Sequence, residues 1–231
     1  MLHIEHFTFN AFQTRCCVVW DDYKFCAFVD PGCASAAEIS SLVDFVSSHG
    51  LKPVCIMLTH GHFDHIYGVS ALSEKFGGLP VYMHKDEKYT MADTNPYVCG
   101  MYGLPLPDLS FAEALNEGST VLRETSEGDA IEIGSLMFHV IETPGHSRGG
   151  LCFYEPSEQI LFSGDTLFAG AIGRTDQPGG DYDLLMKSIF EKLMELDGQV
   201  TVIPGHGPCS DIATERMTNP FLQPFNEPFE D

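Results

Sequence analysis

An α/β fold of packed helix and sheet layers in one domain is predicted by three features of this sequence. Short β-rich runs alternate with stretches of helical periodicity along the chain. No linker, low-complexity stretch or solenoid-length repeat divides its 231 residues. Four apolar strands each run into a short polar loop, three of them through a glycine, so the four loops should line up along one edge of the layers.

The opening runs FTFN, CCVVWD and KFCAFVD read as a meander of strands, broken at Pro31-Gly32. From Ala34 to His49 the apolar residues Ile39, Leu42, Val43 and Val46 share one helical face, and Gly50 supplies the C-terminal cap. The short unbroken apolar run VCIMLT, 54–59, reads as a buried strand. After a histidine-rich loop, Ile66 to Phe76 reads as a second helix stopped by Gly77-Gly78, and VYMH, 81–84, as another strand. Residues from about 86 to 118, with NPYVCGMYGLPLP among them, show no clear periodicity and read as an irregular insertion that overhangs the histidine-rich loop. AIEI, SLMFHVIET, LCFYE and QILFSGD follow as four strands, with turns at Gly134 and Pro156-Ser157. A helix from Tyr182 to Leu196 carries Leu184, Leu185, Ile189, Leu193 and Leu196 on its apolar side. VTVIP, 200–204, is the last clear strand, and Ile212 to Met217 a short helix that Pro220 ends.

Composition is that of an ordinary globular chain, 44% hydrophobic and 11% aromatic, but charge is not: 12 basic residues against 33 acidic give −21 and a pI near 4.6. Such a surface repels phosphate backbones, which excludes nucleic acid as a partner and reads as a device for solubility. The eight cysteines form no CxxC, and several lie in apolar runs, as reduced core thiols of a cytoplasmic protein would. The start, MLHIEHFTFN, has neither the basic nor the apolar region of a secretory signal, and no apolar run approaches the ~20 residues that span a bilayer, so no membrane partner is expected. A small molecule is the partner the composition leaves, and the sequence is silent on oligomeric state.

The chemistry sits at the strand ends. IMLT runs toward His60, VIETPG into His146, LFSG into Asp165 and VIPG into His206. The run His60-Gly61-His62-Phe63-Asp64-His65 packs four potential metal ligands into six residues. An extended loop can aim His60 and His62 at one ion, while Asp64 and His65, at a loop-to-helix junction, can face a second. Imidazole nitrogen and carboxylate oxygen suit zinc and iron. His3, His6, His49, His84 and His139 read as surface or ordinary packed histidines.

The motifs THGHFDH, TPGHS, SGDT and PGHG together resemble the metal signature of the metallo-β-lactamase superfamily. Asp30 of FVDPG resembles that family's first motif, an aspartate behind a strand that supports the metal loop. The resemblance runs from the strand at 24–30 to the end of the chain, and it implies a four-layer αββα sandwich with the site at one edge of two packed sheets. Within the superfamily, GDTLFAGAIGRTD and PGHGP…E…NPFL are most similar to the glyoxalase II (hydroxyacylglutathione hydrolase) branch, especially its short bacterial members. By that likeness His60, His62 and His146 would hold one metal, Asp64, His65 and His206 the other, and Asp165 would bridge them. Two divalent ions are implied, zinc first, with iron or manganese as alternatives, and Asp30 and Thr59 would support the ligands from behind.

The activity implied is hydrolysis of a small thioester of the S-lactoylglutathione type by a hydroxide that the metals hold. Two cations ~3.5–4 Å apart lower the pKa of a shared water toward ~7 and stabilise the oxyanion. A thiolate, with a pKa near ~8.5, leaves with little protonation, so no serine or cysteine nucleophile is required. Asp64 would also accept or relay a proton. Arg148, Arg174 and Tyr182 are the candidate substrate contacts. Each has a plainer reading as well: Arg174 in a loop-shaping ion pair with Asp176, Arg148 on the surface, and Tyr182, with Tyr97 and Tyr102, in the core or at a pocket rim. The chain ends 25 residues after His206, too soon for the helical C-terminal domain by which larger glyoxalase II enzymes hold glutathione.

The chain also resembles the persulfide dioxygenases, an alternative in which His60, His146 and Asp165 would hold a single iron. A flavodiiron protein would need a carboxylate at His62 and a flavodoxin domain. Lactone or β-lactam hydrolysis would use the same hydroxide. Specificity is expected to lie in segment 86–118, whose deletion should alter substrate preference and leave metal content intact.

Overall fold

The structure, a computed structural model, describes residues 1–113 and 121–223. The chain up to Glu124 builds one six-stranded sheet: β1 His3–Phe9, β2 Thr14–Trp20, β3 Phe25–Val29, β4 Lys52–Met57, β5 Val81–Met83 and β6 Leu122–Glu124, side by side in that order. The pairs β1–β2 and β2–β3 are antiparallel, as a meander requires, and β3 to β6 run parallel. The rest of the chain builds a second six-stranded sheet. It contains β7 Ala130–Ile133, β8 Leu136–Glu142, β9 Leu151–Glu155 and β10 Ile160–Gly164, and a ribbon of β11 Leu167–Phe168 and β12 Ala171–Ile172 leads away from it. With β13 Thr201–Pro204 and β14 Ser210–Asp211, its order is β14-β13-β10-β9-β8-β7.

Side-chain alternation explains how the sheets stack. In β2, Cys16 and Val18 join one apolar cluster, while Cys17 and Val19 join another; Cys26 and Phe28 part from Ala27 and Val29 in β3 in the same way. The cluster holding Cys17, Val19, Ala27 and Met57 also holds Ile131, Phe138, Val140, Phe153 and Phe162, so it lies between the two sheets. The opposite face of the first sheet packs on Leu42, Val46, Ile66 and Leu72 from helices. Beyond the second sheet, Cys152, Leu161 and Val202 meet Leu185, Ile189 and Leu193. The result is a four-layer αββα sandwich. Its central strands read as unbroken apolar runs because both faces are covered. Full burial of an aliphatic or aromatic side chain contributes about 1.5–3 kcal/mol, so these interfaces anchor the strands whose ends form the shared edge.

The helices follow the sequence reading with local differences. Helix α1, Ala36–Ser48, begins inside the expected Ala34–His49 because Ser35 caps it: Glu38 and Ser35 exchange side-chain and backbone hydrogen bonds in a capping box. The single helix expected over Ile66–Phe76 is two, α2 Phe63–Ile66 and α3 Val69–Lys75. They part where the Gly68 amide leaves the helix to donate to Pro31 O at 2.9 Å.

The stretch read as irregular is helical over much of its length. Helix α4, Glu87–Tyr89, passes through a π-helical turn, Thr90–Thr94, into α5, Asn95–Tyr102, which Gly103 closes at φ 65°. Helix α6, Ser110–Glu113, follows, and residues 114–118 of the expected insertion lie outside the described residues. The buried positions are Glu87, Thr90, Met91, Thr94, Asn95, Val98 and Cys99, an ordinary helical spacing. Four of the seven are polar, which hides the period from any hydrophobicity pattern. Helix α7, Tyr182–Ser188, continues as a π-helical turn, Ile189–Leu193, and α8 is Ile212–Thr218. Pro220 ends that helix as expected and opens a 3₁₀ turn, Pro220–Leu222.

A buried carboxylate ties the two sheets at the edge of β3. Asp21 accepts from the amides of Tyr23 and Phe25 on its own turn, and from the amide and hydroxyl of Ser135 in the β7–β8 hairpin, at 2.8–3.0 Å. Seven of the eight cysteines are buried and none forms a disulfide. Among the described residues no helix is long and apolar enough to cross a membrane.

Candidate metal centre

Four strand ends converge as the sequence implied. Chain leaving β4 carries Thr59, His60 and His62; chain leaving β8 carries His146; Asp165 follows β10 directly, and His206 follows β13 after one glycine. That glycine is obligatory. A Cβ on Gly205 would lie 2.4 Å from Asp165 Oδ1 and 2.7 Å from the His65 ring.

The ligands form two groups. His60, His62 and His146 each bring one atom within 4.8 Å of the others, with His62 Nδ1 and His146 Nε2 2.9 Å apart. Asp64, His65 and His206 form the second, with His65 Nε2 and His206 Nε2 3.2 Å apart and Asp64 Oδ2 at 3.6 and 3.4 Å from them. Asp165 reaches both: its Oδ2 is 3.6 Å from His146 Nε2 and 3.5 Å from His206 Nε2, and its Oδ1 is 3.5 Å from His65 Nε2. These spacings fit a cation. Ligands of a tetrahedral zinc, each about 2.0–2.1 Å from the ion, lie about 3.3 Å from one another. His60 Nε2 and Asp165 Oδ1 are buried and make no hydrogen bond. Such orphans are rare, and a positive ion in the cluster is the partner both lack.

Behind the ligands, hydrogen bonds fix which ring nitrogen faces inward. His65 Nδ1 lies 3.1 Å from Asp30 Oδ2, His146 Nδ1 2.8 Å from Arg174 O, and His206 Nδ1 3.1 Å from Phe12 O, leaving Nε2 of each toward the centre. His60 Nδ1 is 3.0 Å from Thr59 Oγ, whose own hydroxyl donates to Asp30 Oδ2 at 2.6 Å, and Asp30 Oδ1 takes the Thr59 amide at 2.8 Å. Asp30 and Thr59 thus hydrogen-bond to His65 and His60 from the side away from the cluster.

Charge is arranged to receive cations. Burial and the neighbouring His65 push His60 well down, and burial with the facing His146 pushes His62 to about 3, so both rings are neutral at ordinary pH. Burial pushes Asp64 and Asp165 up, but His65 and the hydrogen bond from His206 outweigh it, holding Asp64 at about 2 and Asp165 well below the usual carboxylate range. The two carboxylates in turn raise His65 to about 9 and His206 to about 11, against the opposing effect of burial.

Several supports carried no motif. Thr14 Oγ1 donates to Asp64 Oδ2 at 2.7 Å, and Asn10 Nδ2 to Asp64 O at 2.9 Å. Arg15 grips the His206 loop through Pro204 O at 2.8 Å and Gly207 O at 2.5 Å. A buried threonine and a charged arginine at the head of the apolar strand TRCCVVW were the available signal. Glu215 accepts from Gly170 N at 2.9 Å and Asn219 Nδ2 at 2.8 Å, and Asn219 Nδ2 also reaches Ala171 O at 3.0 Å. The E…N spacing of the C-terminal motif thus ties α8 to the ribbon that follows Asp165.

The three candidate substrate contacts stand apart from the ligands. Arg148 is exposed, its guanidinium 5.0 Å from the centre of the Tyr89 ring. Arg174 is held by Asp176 in two bonds of 2.7 Å, and its part in the site is played by its carbonyl. Tyr182 is 50% exposed at the start of α7. No hydrogen bond, ion pair or ring contact joins these three side chains to a ligand. His84 is buried against Glu142, at 3.2 Å.

The family model for the metallo-β-lactamase superfamily matches residues 10–206, which include every ligand above. This chain belongs to the metallo-β-lactamase superfamily. Among superfamily members it is 33% identical over 226 residues to the hydroxyacylglutathione hydrolase GloC of Haemophilus influenzae, covering 96% of this chain and 98% of that one. Two superfamily crystal structures superpose closely. BLEG-1, a B3 metallo-β-lactamase, matches with a TM-score of 0.83 at 34% identity, covering 95% of this chain and 99% of its own. TTHA1623 in a di-iron-bound form matches with a TM-score of 0.78 at 34% identity, covering 94% and 100%.

Proposed function

We propose that this metallo-hydrolase cleaves small thioesters of the S-lactoylglutathione type, with two divalent ions at its centre. The observation that carries the reading is the pair of three-ligand groups joined by Asp165, a donor set for two ions. The likeness to GloC over nearly the full length of both chains supports the substrate class, and the di-iron TTHA1623 supports the count of two. The donor set suits zinc first, with iron or manganese as alternatives.

When bound, the ions supply a hydroxide nucleophile at neutral pH and neutralise the charge that develops on the acyl oxygen. The chain's own residues do the rest. His60 and His62 enter as neutral donors, so neither has to lose a proton to bind. Asp64, kept ionised by His65 and His206, is a ligand first and can also take the proton released as water is activated. Ser147, beside His146, is buried and donates to Glu87 at 2.7 Å, which leaves it no role as nucleophile. A departing thiolate needs no general acid. At the rim, Arg148, Arg174 and Tyr182 are the groups proposed to meet the thiol carrier.

The test is turnover of S-lactoylglutathione by metal-reconstituted protein, with β-lactam and lactone substrates alongside. A rate no higher than that of a His60→Ala control removes this substrate. The alternative, a persulfide dioxygenase with one iron on His60, His146 and Asp165, predicts one iron per chain and oxygen uptake with a persulfide.

A further inference from the structure

Among the described residues Glu87 forms no hydrogen bond or ion pair with a candidate ligand side chain, yet it touches both loops that carry the first ligand group. It is 0% exposed. Its Oε2 accepts from the amide of Gly61, between His60 and His62, at 2.7 Å. Its Oε1 accepts from the Ser147 hydroxyl and the Gly149 amide, just after His146, each at 2.7 Å. One carboxylate therefore joins a loop of the first sheet to a loop of the second. Asn95, also 0% exposed, holds the same loop through its next peptides: Nδ2 donates to Gly61 O at 2.8 Å and Oδ1 accepts from the Phe63 amide at 3.0 Å. The fit leaves no slack, since a Cβ on Gly61 would lie 3.1 Å from Glu87 Oε2 and 3.2 Å from Met91.

The chemistry of this clasp is specific. Three donors converge on one side chain, and only a carboxylate offers two oxygens that accept throughout. A glutamine would turn an N–H₂ toward at least one of those donors. No lysine or arginine forms an ion pair with Glu87 among the described residues, so its two oxygens are satisfied by these three donors.

We propose that Glu87 is a positioning residue of the metal centre, which locks the His60–His62 loop to the His146 loop and so sets the spacing of the first ligand group, with Asn95 as its second tie. Helices α4 and α5 are then part of the metal site, not an appendage that selects substrate. The expectation that segment 86–118 can be removed with metal content intact is reversed by this inference. It rests on the two-group metal reading and not on the thioester.

Glu87→Gln in the full-length chain tests it, by competition of the metal-free protein against a chromogenic chelator with zinc, and by the visible spectrum of the cobalt form. The expected result is about a 10- to 100-fold weaker affinity for one ion with the other little changed, an altered cobalt spectrum, and a cooperative thermal transition in the metal-free variant. Wild-type affinity for both ions, even with a lower Tm, would make Glu87 merely structural and overturn the proposal. So would an equal loss at both ions. If Glu87→Gln does not fold, Ser147→Ala, which removes one of the three donors without stranding a charge on new donors, decides the matter. It should weaken the same ion by a few-fold, and unchanged affinity there overturns the proposal. Wild-type protein that takes up no metal would instead sink the metal centre itself.

Discussion

Changing one atom of Asp30 should cost the second metal group its affinity. Asp30 follows β3 at φ 48°, a conformation that asparagine tolerates and most residues do not. Asp30→Asn keeps that backbone and can keep the oxygen that takes the Thr59 amide at 2.8 Å. What changes is the other oxygen, which accepts from Thr59 Oγ at 2.6 Å and from His65 Nδ1 at 3.1 Å. An amide N–H₂ there faces two donors. His65 must move its proton to Nε2, the nitrogen that faces His206 and both carboxylates, and so stops being a ligand in its resting form. Loss of such a support costs about 10- to 100-fold in affinity, or about 1.4–2.7 kcal/mol. The first group feels the change only through Thr59 and His60, so its loss should be smaller. Zinc titration against a chelator, with the cobalt spectrum as a second probe, measures both. Asp30→Ala is a poorer probe, because it strands the Thr59 amide at about 1–3 kcal/mol and puts an alanine at positive φ. Two ions bound with wild-type affinity by a folded Asp30→Asn protein would refute the reasoning.

Three further outcomes follow from the geometry. With His65 raised to about 9 and His206 to about 11, the metal-free pair holds at least one proton at pH 7, so loading should release about one to two protons per chain and affinity should strengthen as pH rises from 6 toward 9. Calorimetry in buffers of different ionisation enthalpy counts the protons, and a count of zero contradicts the assignment. Gly205→Ala should abolish binding at the second group, since its methyl would occupy space 2.4 Å from Asp165 Oδ1; elemental analysis showing two ions per chain would dismiss that geometry. Asp21→Ala should destabilise the fold by roughly 3 kcal/mol through stranded donors, read by chemical denaturation. Burial pushes the Asp21 carboxyl up, but the bonds from Ser135, Phe25 and Tyr23 outweigh it and hold it below its ordinary range. Its contribution is therefore present above about pH 4 and fades as pH falls through the lowered value, so a wild-type minus variant difference that grows on acidification would be the wrong sign.

The candidate ligands His60, His146, Asp165 and His206 were legible because each follows an apolar run, and His62, Asp64 and His65 because they crowd with His60 into six residues. Asp30 was read from the resemblance of FVDPG to the family's first motif. Thr14, Asn10 and Arg15 were not legible: they reach Asp64 and the His206 loop from the β1–β2 turn and the start of β2, remote in sequence from both. Glu87 and Asn95 were hidden differently. Their helices bury polar side chains that meet the backbone of the metal loops and the Ser147 hydroxyl, and not an apolar core. Strands such as β6, β11, β12 and β14, two or three residues long, are too short to show a period. The plainer reading of Arg174 as partner to Asp176 matches its contacts, whereas the break at Tyr67-Gly68 depends on Pro31, which no local pattern announces.

The division of the chain between the two sheets gives the metal site a second meaning. His62 and His146 are separated by 84 residues, His65 and His206 by 141, and each pair straddles the boundary between the first-sheet and second-sheet halves of the sequence. Neither half holds a complete set of donors. An ion bound here acts as a staple between two separately threaded pieces, and at a free concentration 1,000 times Kd it would add about 4 kcal/mol against their separation. A chain nicked between β6 and β7 should therefore stay assembled with metal and loosen under a chelator, so that the candidate metal centre would also fasten the sandwich.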